Sequence, residues 1–252
     1  MFIFAGPCVI ESPVSAISIA QALQSFCKPF PDVRYCFKAS YDKANRTSLK
    51  AFRGVGIDYA LDVLKAIRAE YKIPVLTDIH SVADVDKIAQ VVDVCQVPAF
   101  LCRQTDLLLA IAETGKKINV KRGQFMAPDD MKYVVEKLRS KTDAEIFLTE
   151  RGYSFGYNDL VVDFRSFSYM GDTGCKVIFD ASHSFQYPSK GGTTRFSRQM
   201  ARAAVAYGVD GLFMEVHYKP EKALSDASTT LSLLEFETIL KDLTKLRSVE
   251  YD

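Results

Sequence analysis

Eight times along this 252-residue chain a short apolar run gives way to a polar loop and then to a stretch with helical spacing. The apolar runs fall at 2–9, 34–39, 74–79, 92–97, 118–121, 145–149, 176–180 and 211–216. The helical stretches fall at 14–27, 57–71, 82–90, 105–114, 128–140, 160–170, 195–207 and 231–249. The second of these shows the pattern well, with Tyr59, Leu61, Val63, Leu64 and Ile67 on one face and charge on the other. Gly115 stands where a helix C-cap is expected and Pro128 where a first helical turn begins. Alternating strand and helix imply a parallel sheet with right-handed crossovers. Eight such units at this length imply a closed (β/α)8 barrel of the TIM type. An open doubly wound sheet is the rival, but it usually carries a Gly-x-Gly-x-x-Gly turn after its first strand, and none is present. No linker or shift in composition divides the chain, so residues 1–252 read as one domain.

Composition removes several classes of partner. The formal net charge is +1, which is not that of a chain seeking nucleic acid or an anionic membrane. The six cysteines, at 8, 27, 36, 95, 102 and 175, make no Cys-x-x-Cys pair. Cys36 and Cys95 lie inside apolar runs and read as buried thiols, which points to a reducing compartment. No secretory leader and no apolar stretch of bilayer length is seen, so a cytoplasmic location is expected.

In a barrel of this kind the chemistry lies at the C-terminal ends of the strands. Those ends carry Cys8, Lys38, Asp78 with His80, Gln96, Lys121, Arg151, Asp180 with His183, and Glu215 with His217. The second unit runs on into Lys43 and Arg46, with Ser40, Asn45, Thr47 and Ser48 among them. Cations interleaved with hydroxyl and amide donors suit phosphate and carboxylate oxygens; a solvated basic loop is the alternative. Cys8, His183, Glu215 and Asp226 come from units one, seven and eight, which adjoin in a closed barrel. One thiol, one imidazole and two carboxylates would hold a divalent transition metal such as Zn, Fe, Mn or Co. The alternative is a buried thiol, a surface histidine and unrelated acids. Lys38, Lys43, Arg46, Lys121 and Arg151 are expected on the arc opposite the acids. A metal facing an anion cradle suggests a phosphorylated substrate. His80 and His217 read as structural, and Asp78 as either an acid in the mouth or a helix cap.

Several segments resemble the 3-deoxy-D-manno-octulosonate 8-phosphate synthase family. They are Ala5-Gly-Pro-Cys8-Val-Ile-Glu11-Ser12, Phe37-Lys38-Ala-Ser40-Tyr-Asp42-Lys43-Ala-Asn45-Arg46, Gln96-Val-Pro98-Ala99-Phe-Leu-Cys-Arg103-Gln-Thr-Asp106, Asn119-Val-Lys121, Thr149-Glu150-Arg151-Gly152, 158–163 and Leu224-Ser225-Asp226-Ala227. The resemblance covers essentially the whole chain. It implies a (β/α)8 transferase that condenses phosphoenolpyruvate with arabinose 5-phosphate and water, releasing phosphate, in lipopolysaccharide synthesis. By resemblance Lys43, Lys121 and Arg151, with Lys38, Gln96 and the Pro98-Ala99 backbone, hold phosphoenolpyruvate. Ser40, Asp42 and Asp78 fall in the same substrate-binding set. Asn45, Arg46 and Thr47 meet arabinose 5-phosphate, and Arg103 reaches that phosphate from a neighbouring subunit, which implies a homotetramer. Lys43, Asn45, His183 and Asp226 are the implied catalytic residues. Cys8, His183, Glu215 and Asp226 match the ligands of the metal-dependent branch, whose metal-free counterpart carries Asn at the Cys8 position. Two features depart from the family: a short segment between His183 and Gly191, and Val216-His217-Tyr218 in place of Thr-His-Pro. The nearest rival condenses phosphoenolpyruvate with erythrose 4-phosphate and usually carries Lys-Pro-Arg-Thr where this chain has Lys43-Ala-Asn45-Arg46-Thr47. A non-catalytic sugar-phosphate sensor is a second rival.

Overall fold

The computed structural model describes residues 1–154, 159–187 and 191–247. Eight parallel strands form the wall of a barrel: β1 (Phe2–Gly6), β2 (Arg34–Lys38), β3 (Val75–Asp78), β4 (Val94–Val97), β5 (Lys117–Lys121), β6 (Ile146–Glu150), β7 (Lys176–Asp180) and β8 (Gly211–His217). The ring closes through β1, where Phe2 lies opposite Arg34 on one side and Gly211 on the other. The helices are α1 (Pro13–Cys27), α2 (Ile57–Tyr71), α3 (Val85–Ala89), α4 (Thr105–Glu113), α5 (Met131–Arg139), α6 (Arg165–Gly171), α7 (Ser197–Tyr207) and α8 (Leu233–Arg247). This is the single-domain (β/α)8 barrel that the strand–helix period implies. Among the described residues no helix is long and apolar enough to cross a membrane.

Side chains alternate across a strand, so each strand writes two rows. The outward rows, with Ile3, Phe37, Val97, Val120, Leu148, Phe179 and Leu212, pack beneath the helices in the main core. The inward rows begin apolar. Phe4, Cys36, Leu76, Val94, Phe147, Ile178 and Phe213 fill the barrel as a separate cluster with Phe2 against it. Phe147 meets Phe2 and Phe4 edge to face, at 4.9 and 5.1 Å between centroids. Two residues further along the same rows the chemistry changes: Gly6, Lys38, Asp78, Gln96, Thr149, Asp180 and Glu215 all face the barrel axis. A register slip of one residue would drive these polar groups into the helix layer, so the strand pairing is strongly specified.

Several helix limits differ from the sequence expectation, each for a local reason. The stretch 82–90 opens as a 3-10 turn, Val82–Asp84, capped by Ser81, before α3 begins. The stretch 128–140 likewise opens with a turn at Pro128–Asp130. The expected helix 160–170 is wrong at its start. Leu160–Val161 pairs antiparallel with Tyr153–Ser154, and α6 begins only where Asp163 accepts from the Arg165 N–H. The expected helix 231–249 is also wrong at its start. Leu231–Ser232 pairs along β8, and a reciprocal capping box between Ser232 and Glu235 starts α8 at Leu233. Its expected end lies outside the described residues, as do parts of the loops at 155–158 and 188–190.

Gly6 shows what closure demands. A Cβ there would sit 2.1 Å from the Lys38 carbonyl oxygen. Gly6→Ala therefore has to push β1 from β2. The expected loss is about 1–3 kcal/mol, the range for overpacked sites. It should appear as a lower guanidinium midpoint at unchanged slope; an unchanged midpoint would show that the strands separate freely.

Candidate active site

The inward position of β1 between Lys38 and Glu215 is Gly6, and it carries no side chain. Lys38 uses that gap. Its Nζ crosses to Glu215 Oε1 at 3.0 Å and also donates to the Cys8 carbonyl at 3.0 Å. Both side chains of the pair are almost wholly buried. Breaking such a pair on one side costs about 3–5 kcal/mol, because the survivor is left charged and dry. Burial alone would raise the Glu215 pKa, but His183 and Lys38 outweigh it and hold the carboxyl below its ordinary range.

Cys8, Glu215 and Asp226 bring one donor atom each to within 4.8 Å of one another. Cys8 Sγ donates to Asp226 Oδ2 at 2.9 Å and lies 3.1 Å from Ser225 Oγ. Burial, then the Glu215 charge, pushes the Cys8 thiol well up. His183 borders the group, with Nε2 3.4 Å from Glu215 Oε1. Asp226 has a left-handed backbone, φ 50, which Asp tolerates better than most residues. Its carbonyl takes the Thr229 N–H and the Thr230 hydroxyl, which hold that turn. Glu215 Oε2 is buried with no hydrogen-bond partner. A buried carboxylate oxygen without a donor is costly unless something cationic meets it. The donor set and the orphaned oxygen together fit a divalent metal, and this chemistry belongs to the thiolate–imidazole–carboxylate range of Zn, Fe, Mn or Co.

Asp180 joins this group to the cations. Its Oδ2 accepts from Lys121 Nζ at 2.7 Å and lies 2.8 Å from His183 Nδ1. Its Oδ1 accepts the N–H groups of Ser182 and His183. Burial would raise the Asp180 pKa; His183 and Lys121 reverse this and hold it well below the carboxylate range. With Nδ1 turned to Asp180, the His183 ring presents Nε2 to the metal donors. Lys121 Nζ also sits 3.5 Å above the Phe213 ring, the top of the apolar plug. Arg151 gives Nη2 to Gln186 at 2.8 Å, while its Nη1 is buried without a partner. Behind these, Arg122 and Glu150 form a fully buried fork-to-fork pair. Arg122 also donates to the Met126 carbonyl, and Glu150 accepts the Gly152 N–H. Each partner is the chain neighbour of a cradle cation, so the pair anchors the backbone of both Lys121 and Arg151.

The cations are not opposite the acids, as expected, but interleaved with them. Lys38 meets Glu215, and Lys43 lies 3.5 Å from Asp226. The reason is reach: a lysine stem spans a neighbouring strand. Asp78 proves to be an acid in the mouth and not a cap, accepting from Ser40 at 2.7 Å and from Gln96. In the loop after β2, Arg46 donates to Ser225 Oγ at 2.7 Å and to the Leu224 carbonyl. Asp42 is held by Arg53 and its carbonyl by His80. Asn45 and Thr47 are exposed and make no side-chain hydrogen bond among the described residues. Pro98 and Ala99 turn out of β4 into a short 3-10 turn. Arg103 is exposed, and its side chain makes no hydrogen bond or ion pair among the described residues. Sequence reasoning assigned no role to Asp180, Asn119, Gln186 or Ser225; for Asp180 the three-residue spacing to His183 was the available sign.

A barrel whose C-terminal mouth gathers metal donors, buried cations and unsatisfied polar atoms has the makings of an enzyme site. The chain belongs to the DAHP synthetase I family, whose profile matches residues 1–249. It is 53% identical to the 2-dehydro-3-deoxyphosphooctonate aldolase of Geobacter sp. (strain M21), over 98% of this chain and 90% of that protein. Proteins of the same name from Citrifermentans bemidjiense and Trichlorobacter lovleyi are 52% and 51% identical. The first covers 97% of this chain and 91% of itself, the second 99% and 93%. The chain is an enzyme.

Asp180 also sets an acid limit. Its folded pKa is depressed, so its stabilisation is fully present above the unfolded value, about pH 4. It is lost as pH falls below that towards the folded value. Asp180→Asn should lower stability at pH 6 and flatten the fall in guanidinium midpoint between pH 5 and pH 3. An equally steep fall in the variant would mean that other carboxylates carry the acid dependence.

Proposed function

We propose that this enzyme condenses phosphoenolpyruvate with D-arabinose 5-phosphate and water, giving 3-deoxy-D-manno-octulosonate 8-phosphate and phosphate for lipopolysaccharide synthesis. The observation that carries the reading is the meeting of a thiol–carboxylate donor group with buried Lys38, Lys121 and Arg151 and half-buried Lys43 in one barrel mouth. The name shared by the relatives, an aldolase of a phosphorylated dehydro-deoxyoctonate, agrees with it. The whole of residues 1–252 acts as one catalytic domain, in the cytoplasm, as a homotetramer.

The enol carbon of phosphoenolpyruvate attacks the sugar aldehyde. Water adds at the neighbouring carbon, and the phosphate leaves with its bridging oxygen. Lys121 and Arg151, with Lys38, Gln96 and the Pro98-Ala99 backbone, hold phosphoenolpyruvate; Arg151 Nη1 is the donor still free for an anion. Ser40, Asp42 and Asp78 shape the same wall. Asn45, Arg46 and Thr47 hold arabinose 5-phosphate, and Arg103 of a second copy closes over its phosphate. Bringing two mutually repelling anions together is the proximity part of catalysis, which is worth up to about 7–11 kcal/mol in well-oriented systems. Lys43, beside Asp226, stands ready to give a proton as the aldehyde oxygen gains charge. Asn45 orients that end of the sugar. His183 and Asp226 carry protons to and from the attacking water. Cys8, His183, Glu215 and Asp226 hold the divalent metal, which supplies electrostatic stabilisation of the oxygen functions when bound.

The test is phosphate release from phosphoenolpyruvate with arabinose 5-phosphate and, separately, erythrose 4-phosphate, before and after chelation. Release with arabinose 5-phosphate, lost on chelation and restored by a divalent metal, is expected. A preference for erythrose 4-phosphate would assign the chain to the sister reaction, and no release with either sugar would leave a sensor. Cys8→Ala should lose bound metal, measured by elemental analysis, and at least a hundredfold in rate; Cys8→Asn should regain part of that rate without metal. Full metal retention in Cys8→Ala would remove Cys8 from the ligand set. Replacing Arg103 should raise KM for arabinose 5-phosphate about tenfold or more, the scale of one lost charge-assisted contact. An effect confined to phosphoenolpyruvate would defeat that role.

A further inference from the structure

Beneath the cradle, five side chains from five consecutive strands make one hydrogen-bonded belt. Thr149 of β6 donates to Asn119 Oδ1 at 2.6 Å. Asn119 of β5 donates to Gln96 Oε1 at 2.8 Å. Gln96 of β4 donates to Asp78 Oδ1 on β3. Ser40, just past β2, donates to Asp78 Oδ2 at 2.7 Å. All five are buried. Thr149, Asn119 and Gln96 therefore donate one way around the barrel, Ser40 donates the other way, and both flows stop at Asp78.

A side-chain amide can turn over, exchanging its oxygen for its NH2 at little cost. A buried run of amides thus has two senses that satisfy it equally, unless one end is fixed. An ionised carboxylate fixes it, because it accepts only. Asp78 is kept ionised: burial opposes this, but Lys38, His80 and Lys43 and the Ser40 bond prevail and hold it below the ordinary carboxylate range. The sense matters because of what lies above. Asn119 and Thr149 stand two residues below Lys121 and Arg151 on the same inward rows. Gln96, the belt amide that keeps a little exposed surface, uses one N–H within the belt and has a second to offer, whereas Asn119 is fully enclosed. Turned over, Gln96 would put an oxygen lone pair where that N–H lies.

We infer that Asp78 is a positioning residue: it fixes the sense of the Gln96–Asn119 amide belt so that Gln96 presents its spare N–H, not an oxygen, to the carboxylate of the bound enolpyruvate. The inference rests on the proposed phosphoenolpyruvate site and adds to it a role for Asn119 and Thr149 and a different role for Asp78.

Two variants test it, and charge alone predicts the opposite sign for the first. Asp78→Asn is isosteric and lets the belt run either way. It also removes a negative charge beside Lys38 and Lys43, which by itself would tighten anion binding. The belt predicts weaker binding. Calorimetric titration of the metal-loaded protein with phosphoenolpyruvate is expected to show a Kd raised at least threefold in Asp78→Asn, with KM for arabinose 5-phosphate within twofold of the parent. Thr149→Val removes, without changing charge, the donor that holds Asn119 Oδ1, so that end of the belt is no longer pinned, and the same Kd should rise about twofold or more. Thr149→Ser keeps the donor and should recover most of that loss. An unchanged or lower Kd in Asp78→Asn overturns the inference, as does an equal rise for both substrates, which would mark a merely structural role. A parent protein that binds no phosphoenolpyruvate would instead remove the site reading itself, so the two failures are distinct.

Discussion

The Lys38–Glu215 ion pair, lying across the bare position of Gly6, is the interaction on which the site depends. It joins β2 to β8 over β1 and so ties the seam where the barrel closes. A buried ion pair is a poor source of stability, since desolvation consumes most of its attraction. Its presence in a barrel that already has an aromatic plug needs another reason. The reason lies in the whole inner surface, where Asp78, Asp180, Glu215 and Asp226 stand among Lys38, Lys43, Lys121 and Arg151. The acids keep the cations charged and aimed without a ligand. An anion entering this mouth meets groups already desolvated and fixed, and little reorganisation is left to do when it binds. Arg151 Nη1 and Glu215 Oε2, both buried without a partner, mark places in the mouth where the protein's own pairing stops.

The same surface divides into two kinds of bonding. From β7 through β8 and β1 to β2 the contacts are ionic and include the thiol. From β2 round to β6 they run through neutral amides and hydroxyls that end on one carboxylate. Point charges attract an anion from many directions, whereas amides discriminate by orientation. A ring built of both can hold strongly charged ligands and still fix how they lie. The Arg122–Glu150 pair, outside the ring, steadies the backbone on which Lys121 and Arg151 depend.

Much of this was legible in the chain. The repeated strand–helix period gave the barrel, and the strand ends held nearly every polar group that the mouth contains. What the period conceals is depth and reach. Strand order leaves β1 between Lys38 and Glu215, and only the bare Gly6 lets the lysine stem cross it. Leu160 and Leu231 fit a helical spacing, but pairing with Ser154 and Val216 claimed them first. For α8 the deciding sign was in view, since Ser232 and Glu235 have the spacing of a capping box. The amide belt had no such sign. Its neighbours are separated by 38, 18, 23 and 30 residues and meet only through the register of five strands.

Three loops interlock over Cys8, and their contacts couple the Arg46 loop to the turn at Asp226. Glu11, after β1, accepts the Leu224 N–H; Arg46, after β2, donates to the Leu224 carbonyl and to Ser225. Ser225 in turn lies against Cys8 Sγ and Asp226 Oδ2. The left-handed turn at Asp226 is thus held from both sides by loops that carry other parts of the site. Arg46 spends its guanidinium on two neutral acceptors, and bonds to neutral oxygens are roughly half as strong as bonds to charged ones. A phosphate within its reach would draw it off Ser225 and Leu224, and the segment bearing Asp226 would feel the exchange. The loop that bears Arg46 and the loop that bears Asp226 are therefore mechanically one piece, joined by a bond weak enough to be traded.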